Sequence, residues 1–147
     1  MSNKNNTEPL KHYINGQWIE TKSGAVFDDI NPLDDTLYAK VTKGTAQDVC
    51  NAVAAAKEAF PSYREISPSD RERLLLRVAE IMEKRKSDLI DCLIDEIGSP
   101  VQKAMFEFGK GLSMVRAAAG LCRNVRGQTI PSDAPGKFSM SLREQLG

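Results

Sequence analysis

The 147-residue sequence has very few of the side chains that most active sites require. It contains one histidine, His12, and three cysteines, Cys50, Cys92 and Cys122, with no C-x-x-C pair among them. This spacing argues against a zinc site or a disulfide framework and suits a reducing, cytoplasmic compartment. No P-loop, no strand followed by G-x-G-x-x-G and no G-x-S-x-G motif is present, so the common phosphate-binding and hydrolase signatures are missing.

The sequence also lacks an excess of either charge and any long apolar run. Lysine and arginine together number 20, as do aspartate and glutamate. A nucleic-acid-binding surface normally needs a basic excess, and a membrane-spanning helix needs about 18 consecutive apolar residues. We therefore expect neither nucleic acid nor a membrane as a partner. The polar residues 1–9 contain no apolar core of a secretory signal and predict a disordered tail.

The first third of the chain has the pattern of short strands and turns. Asn15-Gly16 stands between Tyr13-Ile14 and Gln17-Trp18 and predicts a β-hairpin with a type I′ turn, whose central residues both have positive φ. Residues 25–30 and 37–41 predict two further strands on either side of a turn at Asn31-Pro32.

Capping residues and prolines divide the rest of the chain into four predicted helices and a final strand. The signals, in chain order, are Thr45 with Asp48, a stop at Pro61, Ser67-Pro68, a break between Lys84 and Ser87 with a cap at Ser87-Asp88, a stop at Gly98, and Ser99-Pro100. Apolar residues recur at helical spacing on each helix, for example Val49, Val53, Ala56 and Phe60 on the first, and predict one packed face per helix. Residues 128–136 predict a loop. The alternating Phe138, Met140 and Leu142 predict a last strand with both edges unpaired.

The few candidate reactive residues are more typical of structure than of catalysis. His12 has no nucleophile or ligand set beside it in the sequence. Each cysteine lies in a predicted helix, where cysteine usually acts as a small apolar side chain. The acidic pairs at residues 28–29 and 34–35 flank a turn and favour a turn-forming role. From the residues alone, we expect no catalytic and no cofactor-binding residue in this chain.

Six segments occur in an order that resembles a known family. They are HYINGQWIE (12–20), FDDINP (27–32), the stretch 39–63, the stretch 67–100 that ends in EIGSP, RGQTIPSD (126–133) and SLREQLG (141–147). In this order they resemble the N-terminal part of NAD(P)-dependent aldehyde dehydrogenases, with Gln145 where the family usually has proline.

The resemblance implies a fold and a division of the chain. It implies an α+β segment, with short N-terminal strands and a hairpin followed by helices, which is the N-terminal part of the α/β aldehyde dehydrogenase fold. Residues 10–136 would be the N-terminal part of the NAD(P)-binding domain. Residues 137–147 would be the truncated first strand of the oligomerisation domain.

The resemblance also implies where the chemistry lies. In the family, a cysteine thiolate attacks the aldehyde, hydride passes to NAD or NADP, and a glutamate activates the hydrolytic water. These groups lie beyond Gly147, so NAD or NADP belongs to the full-length enzyme and is not expected to bind this chain alone. The positions that match a monovalent cation site of the family are Asp29, Ile30 and Glu96. The region of residues 109–114 matches part of the substrate tunnel.

The resemblance leaves three interpretations open. The chain is expected to be an N-terminal fragment of an aldehyde dehydrogenase that is inactive alone. Alternatively, it is the non-catalytic subunit of a split dehydrogenase or a repurposed helical interaction module. The expected partners are a second copy of the chain or a chain that carries the catalytic half.

Overall fold

The computed structural model of the chain describes residues 8–146. Within this range the strands are β1 (His12–Ile14), β2 (Gln17–Ile19), β3 (Val26–Ile30), β4 (Leu37–Thr42), β5 (Thr129–Ile130) and β6 (Ser139–Met140). The helices are α1 (Ala46–Glu65), α2 (Pro68–Lys84), α3 (Lys86–Ile97) and α4 (Val101–Leu121). This order confirms the predicted α+β fold class of short strands followed by helices. The tail predicted for residues 1–9 lies, except for its last two residues, outside the described residues.

The first two strands form the predicted hairpin. β1 pairs antiparallel with β2, so that Ile14 faces Gln17 across the turn. Asn15 and Gly16 have φ angles of 51° and 75°, which are the positive values that a type I′ turn requires at both central positions. The hairpin prediction is therefore confirmed.

The next two strands form a second antiparallel sheet with an irregular register. The pairing between β3 and β4 shifts between Asp29 and Ile30, directly before the predicted turn at residues 31–32. On the other edge of β4, the Leu10 amide donates to the carbonyl of Lys40 at 2.8 Å, and the Thr42 amide donates to the carbonyl of Leu10 at 3.0 Å. A bulge of this kind bends a strand and redirects the residues next to it.

Helix α1 begins as predicted and ends later than predicted. Thr45 and Asp48 form a complete capping box. The helix does not stop at Pro61 but continues for one turn to Glu65. Proline removes one backbone N–H and crowds the preceding turn, but its fixed φ is itself helical, so a last turn can still follow it. The prediction of a stop at Pro61 was therefore wrong.

The boundaries among α2, α3 and α4 are largely those expected. The Ser67 side chain caps α2 by accepting a hydrogen bond from the Asp70 amide. The helix ends with its C-cap at Arg85, within the predicted interval. Gly98 ends α3 in the left-handed conformation, with φ 68°. The predicted N-caps at Ser87 and Ser99 were wrong. α3 begins before Ser87 without a side-chain cap, and α4 has Pro100 at its N-cap position while Ser99 is buried.

The buried core of the described residues lies where α2, α3 and α4 meet. Ala79 of α2 packs with Phe108 and Leu112 of α4, and Met82, Leu89, Ile90 and Val115 pack around them. The predicted apolar face of α4 is thus confirmed at its centre. The predicted face of α1 is not covered in the same way, because α1 has no buried residue within residues 8–146.

A short ladder of two strands, which was not predicted from the sequence, follows α4. Thr129 and Ile130, which were predicted to lie in a loop, pair antiparallel with Ser139 and Met140. One edge of the last strand is therefore paired within the chain, and the prediction of two unpaired edges was wrong. The ladder spans only two residues, and so short a pair of strands is marginally stable by itself.

A polar cluster joins the strand region to α1. The Asp48 carboxylate accepts hydrogen bonds from the amide of Thr45 at 2.8 Å, from its hydroxyl at 2.7 Å, and from the buried Thr21 hydroxyl at 2.7 Å. These bonds, the backbone one first, lower the pKa of Asp48 from 3.8 to about 2. The capping box thus also holds Thr21, two residues after the end of β2.

Replacement of Phe108 tests whether the α2–α4 contact is the main core. Phe108 is 8% exposed, and Phe106 on the same helix is 63% exposed. Phe108→Ala should lower the free energy of unfolding by about 3–5 kcal/mol, because it removes buried apolar surface and leaves a cavity. Phe106→Ala should cost about 1 kcal/mol or less. Urea unfolding followed by circular dichroism measures both, and equal losses would contradict this location of the core.

The pKa of Asp48 predicts an acid-dependent loss of stability. Because the pKa is lower in the folded chain than in the unfolded chain, the ionised carboxylate stabilises the fold at pH values above about 4. That contribution should decline as the pH falls from 4 through 2. The difference in urea midpoint between the parent chain and Asp48→Asn should therefore shrink over this interval. A difference that stays constant from pH 6 to pH 2 would show that the charge of Asp48 is not the cause.

Candidate functional site

The structure brings together the two regions that the cation prediction joined. Asp29 lies at the end of β3 and Glu96 in the last turn of α3. The turn after β3 lies against the C-terminus of α3, since a Cβ atom added to Gly98 would lie 2.9 Å from Cγ of Pro32. Burial raises the pKa of Asp29, and the negative charge of Glu96 raises it further. Two carboxylates therefore share one region of negative potential.

Tyr38 and Cys92 extend this acidic region. The Cys92 thiol donates to Oε2 of Glu96 at 3.4 Å. Burial raises the pKa of Cys92 most, its hydrogen bond with Tyr38 offsets part of this increase, and the bond to Glu96 adds to it. The pKa of Tyr38 is also raised, first by burial and then by its hydrogen bond with Cys92. Both groups thus remain protonated at neutral pH, and Cys92 acts here as a hydrogen-bond donor.

The cation site predicted at Asp29, Ile30 and Glu96 stays a prediction. Among residues 8–146, no three His, Cys, Asp or Glu side chains are arranged so that they could hold a metal ion. Zinc and other transition metals are held mainly by side chains of these types. The register shift of β3 lies at Asp29 and Ile30, which are two of the three predicted positions. Glu96 supplies a carboxylate near them.

The remaining candidate nucleophiles are dispersed. The His12 ring lies against Gly44, 3.4 Å from the position of a Cβ atom there, and its buried Nε2 has no hydrogen-bond partner among the described residues. Cys50 is exposed on α1, and the Cys122 thiol donates to the carbonyl of Ala118 at 3.4 Å. The expectation that none of them is catalytic stays a prediction.

The N-termini of α1 and α2 are poorly suited to the phosphates of a dinucleotide. A helix N-terminus binds phosphate through free N–H groups and a positive partial charge. The first turn of α1 contains Asp48 and that of α2 contains Asp70, and both are hydrogen-bonded to their cap residues. Their negative charges would repel phosphate at both helix starts. The expectation that NAD or NADP does not bind this chain alone stays a prediction.

A shallow apolar groove of about 350 Å³ lies between the hairpin and α1. Residues 13–16 form one wall, and the alanines at positions 52, 55, 56 and 59 form the other. The neighbouring Val49 and Val53 are each 62% exposed. Alanines and aliphatic side chains offer packing surface but no acid, base or nucleophile. The groove and the apolar face of α1 are thus suited to contact with other protein.

The predicted substrate tunnel is not tested by the contacts of the described residues. At Gly109, within the stretch that matches the substrate tunnel, a Cβ atom would have no neighbour within 4 Å among the described residues. The tunnel therefore stays a prediction.

Within residues 8–146, no helix combines the length and apolar character needed to cross a membrane.

Comparison with known proteins gives consistent matches. Residues 18–147 match the sequence model of the Aldehyde dehydrogenase family. A salicylaldehyde dehydrogenase of Pseudomonas putida is 34% identical over 137 residues, which are 93% of this chain and 28% of that protein. The chain therefore spans little more than a quarter of the length of this relative.

Two solved structures agree with this assignment. A salicylaldehyde dehydrogenase from Pseudomonas putida G7, complexed with salicylaldehyde, has a TM-score of 0.88 and 32% identity over 95% of this chain and 28% of that one. An NAD-dependent benzaldehyde dehydrogenase from Corynebacterium glutamicum has a TM-score of 0.82 and 31% identity over 91% and 29% of the two chains. The chain belongs to the aldehyde dehydrogenase family and has the N-terminal part of its fold.

Proposed function

We propose that this chain supplies the N-terminal scaffold of an NAD(P)-dependent aldehyde dehydrogenase, and that the reacting groups belong to the remaining part of such an enzyme. The observation that carries the proposal is the match over only about 28% of the length of the relatives. Cys92 supports it, because an activated nucleophile needs a lowered pKa, whereas the pKa of Cys92 is raised. In the whole enzyme, an aldehyde is oxidised to a carboxylic acid, and NAD or NADP accepts the hydride.

The proposed division of labour follows the predicted domains. Residues 10–136 form the N-terminal part of the NAD(P)-binding domain, and residues 137–147 form the first strand of the oligomerisation domain. The main contacts to the cofactor come from the remaining part of the enzyme. The acidic helix starts of α1 and α2 support this assignment. The three free cysteines support a cytoplasmic location.

The partner that we propose is the catalytic part of an aldehyde dehydrogenase, whether it lies in the same polypeptide or in another. A 20-residue helix gains most of its stability from packing its apolar face, yet the apolar face of α1 is open within the described residues. Phe138 and Leu142 are also exposed. Self-association through the same faces is the alternative when the catalytic part is missing.

We also propose that Asp29, Ile30 and Glu96 hold a monovalent cation. A cation that binds only the folded chain raises the melting temperature. KCl or NaCl should therefore raise the melting temperature by a few degrees more than tetramethylammonium chloride of equal ionic strength. Glu96→Gln should remove this difference, and Asp91→Asn on the same helix should keep it. Equal melting temperatures in all three salts would exclude the site in this chain.

A chimeric enzyme tests the scaffold function. This chain replaces the matched segment of the Pseudomonas putida salicylaldehyde dehydrogenase, and NADH formation is measured with salicylaldehyde and with benzaldehyde. The chimera should be active, and it should remain active after Cys50, Cys92 and Cys122 are all replaced by serine. The 147-residue chain alone should form no NADH.

Matched variants locate the surface that the scaffold uses. Val53→Glu places a charge on the open apolar face of α1 and should abolish the activity of the chimera. Glu58→Lys, on the opposite face of the helix, should leave the activity within about twofold of the chimera. Loss of activity in a folded cysteine-free chimera would contradict the scaffold function. Equal activity of the Val53→Glu chimera would exclude α1 as the contact surface.

A further inference from the structure

The last residues of the described chain contact two different helices. The Glu144 carboxylate lies 3.3 Å from a guanidinium nitrogen of Arg64 on α1. The carboxamide of Gln145 lies 2.6 Å from both terminal nitrogens of Arg71, and because a guanidinium only donates hydrogen bonds, the amide oxygen is assigned to that side as the acceptor. Gln145 is half-buried, whereas the residues on either side of it are exposed. Two consecutive side chains therefore bridge α1 and α2.

Arg71 is also the residue that joins the two helices directly. Its guanidinium donates to the backbone carbonyl of Arg64 at 2.7 Å and lies 5.9 Å from the centre of the Tyr63 ring. α1 contributes no buried side chain within residues 8–146. No buried apolar contact of α1 among these residues therefore fixes its angle to α2. The contacts of Arg71 are therefore the ones available at this corner to orient α1 against α2.

The same terminal segment is also fixed at its other end. The Ser141 amide donates to the carbonyl of Gln128 at 2.8 Å, and the Gln128 amide donates to the Ser141 hydroxyl at 2.9 Å. A Cβ atom at Gly127 would overlap the carbonyl oxygen of Ser141, so only glycine permits this close backbone approach. Residues 139–145, which we call the strap, thus run from the chain that follows α4 to the corner between α1 and α2.

We propose that the strap is a clamp that fixes the angle between α1 and α2, with Gln145 as its positioning residue. The exposed ion pair between Arg64 and Glu144 contributes little, because water screens it and both side chains are flexible. Gln145 is half-buried and bonds two nitrogens of one charged guanidinium, which is the stronger contact. By bonding Arg71, Gln145 fixes the junction between α1 and α2. The geometry of this junction sets the direction of the open apolar face of α1.

Two substitutions of Gln145 separate this function from simple packing. Gln145→Leu keeps a similar size but removes the acceptor, and Gln145→Glu keeps the acceptor and adds a charge opposite Arg71. Hydrogen exchange at the Ser141 amide should become about tenfold faster in Gln145→Leu and stay near the parent value in Gln145→Glu. Exchange in the core of α2 and α4 should be unchanged in both variants, which controls for the fold.

A distance measurement tests the angle itself. Nitroxide labels are attached at Lys57→Cys on α1 and Lys84→Cys on α2, in the 147-residue chain whose native cysteines are serines. Electron–electron double resonance should give a narrow distance distribution in the parent and in Gln145→Glu, and a broad one in Gln145→Leu. Gly127→Ala should speed exchange at Ser141 by releasing the other end of the strap. A Gln145→Leu variant with parent-like exchange and a narrow distribution would overturn the proposal.

Discussion

The contact of Phe108 with Ala79 and Leu112 is the interaction on which the rest of this structure depends. It is the only cluster of buried apolar side chains found among the described residues, and it holds α2, α3 and α4 together. Dispersion and burial of this kind are not directional, but they supply most of the free energy of folding. The strands and α1, which lie outside the cluster, must be held by other means.

Those other means are single contacts between one element and the next. Asp48 joins Thr21, two residues after β2, to the start of α1. Pro32 packs against the glycine that ends α3, and Arg71 connects α2 to the end of α1. Each is a directed contact between elements that share little apolar surface. Such an arrangement is coherent for a scaffold, because it positions apolar faces accurately and leaves them available for the larger part of an enzyme.

The sequence predicted those features that depend on neighbours along the chain. The hairpin at Asn15-Gly16, the Thr45 capping box and the Gly98 stop were correct because each requires particular residues at fixed local offsets. The apolar spacing of α1 and α4 is alike, yet Phe108 is buried and Val53 is exposed, since periodicity identifies a face but not what covers it. The bond from Thr21 to Asp48 and the pairing of β5 with β6 join residues distant in sequence, and no local signal marks them. The proximity of Asp29 to Glu96 could be anticipated only through the family resemblance.

The position of the single tryptophan has a practical consequence for spectroscopy of this chain. Trp18 is 69% exposed, and its ring stacks at a tilt on Tyr13 across the hairpin, with 4.9 Å between ring centroids. Its fluorescence is therefore an intrinsic reporter of the hairpin and not of the helical core. A change in emission wavelength that precedes the loss of helical ellipticity would mark separate melting of the hairpin. A two-state analysis based on fluorescence alone would then assign the wrong free energy to the core around Phe108.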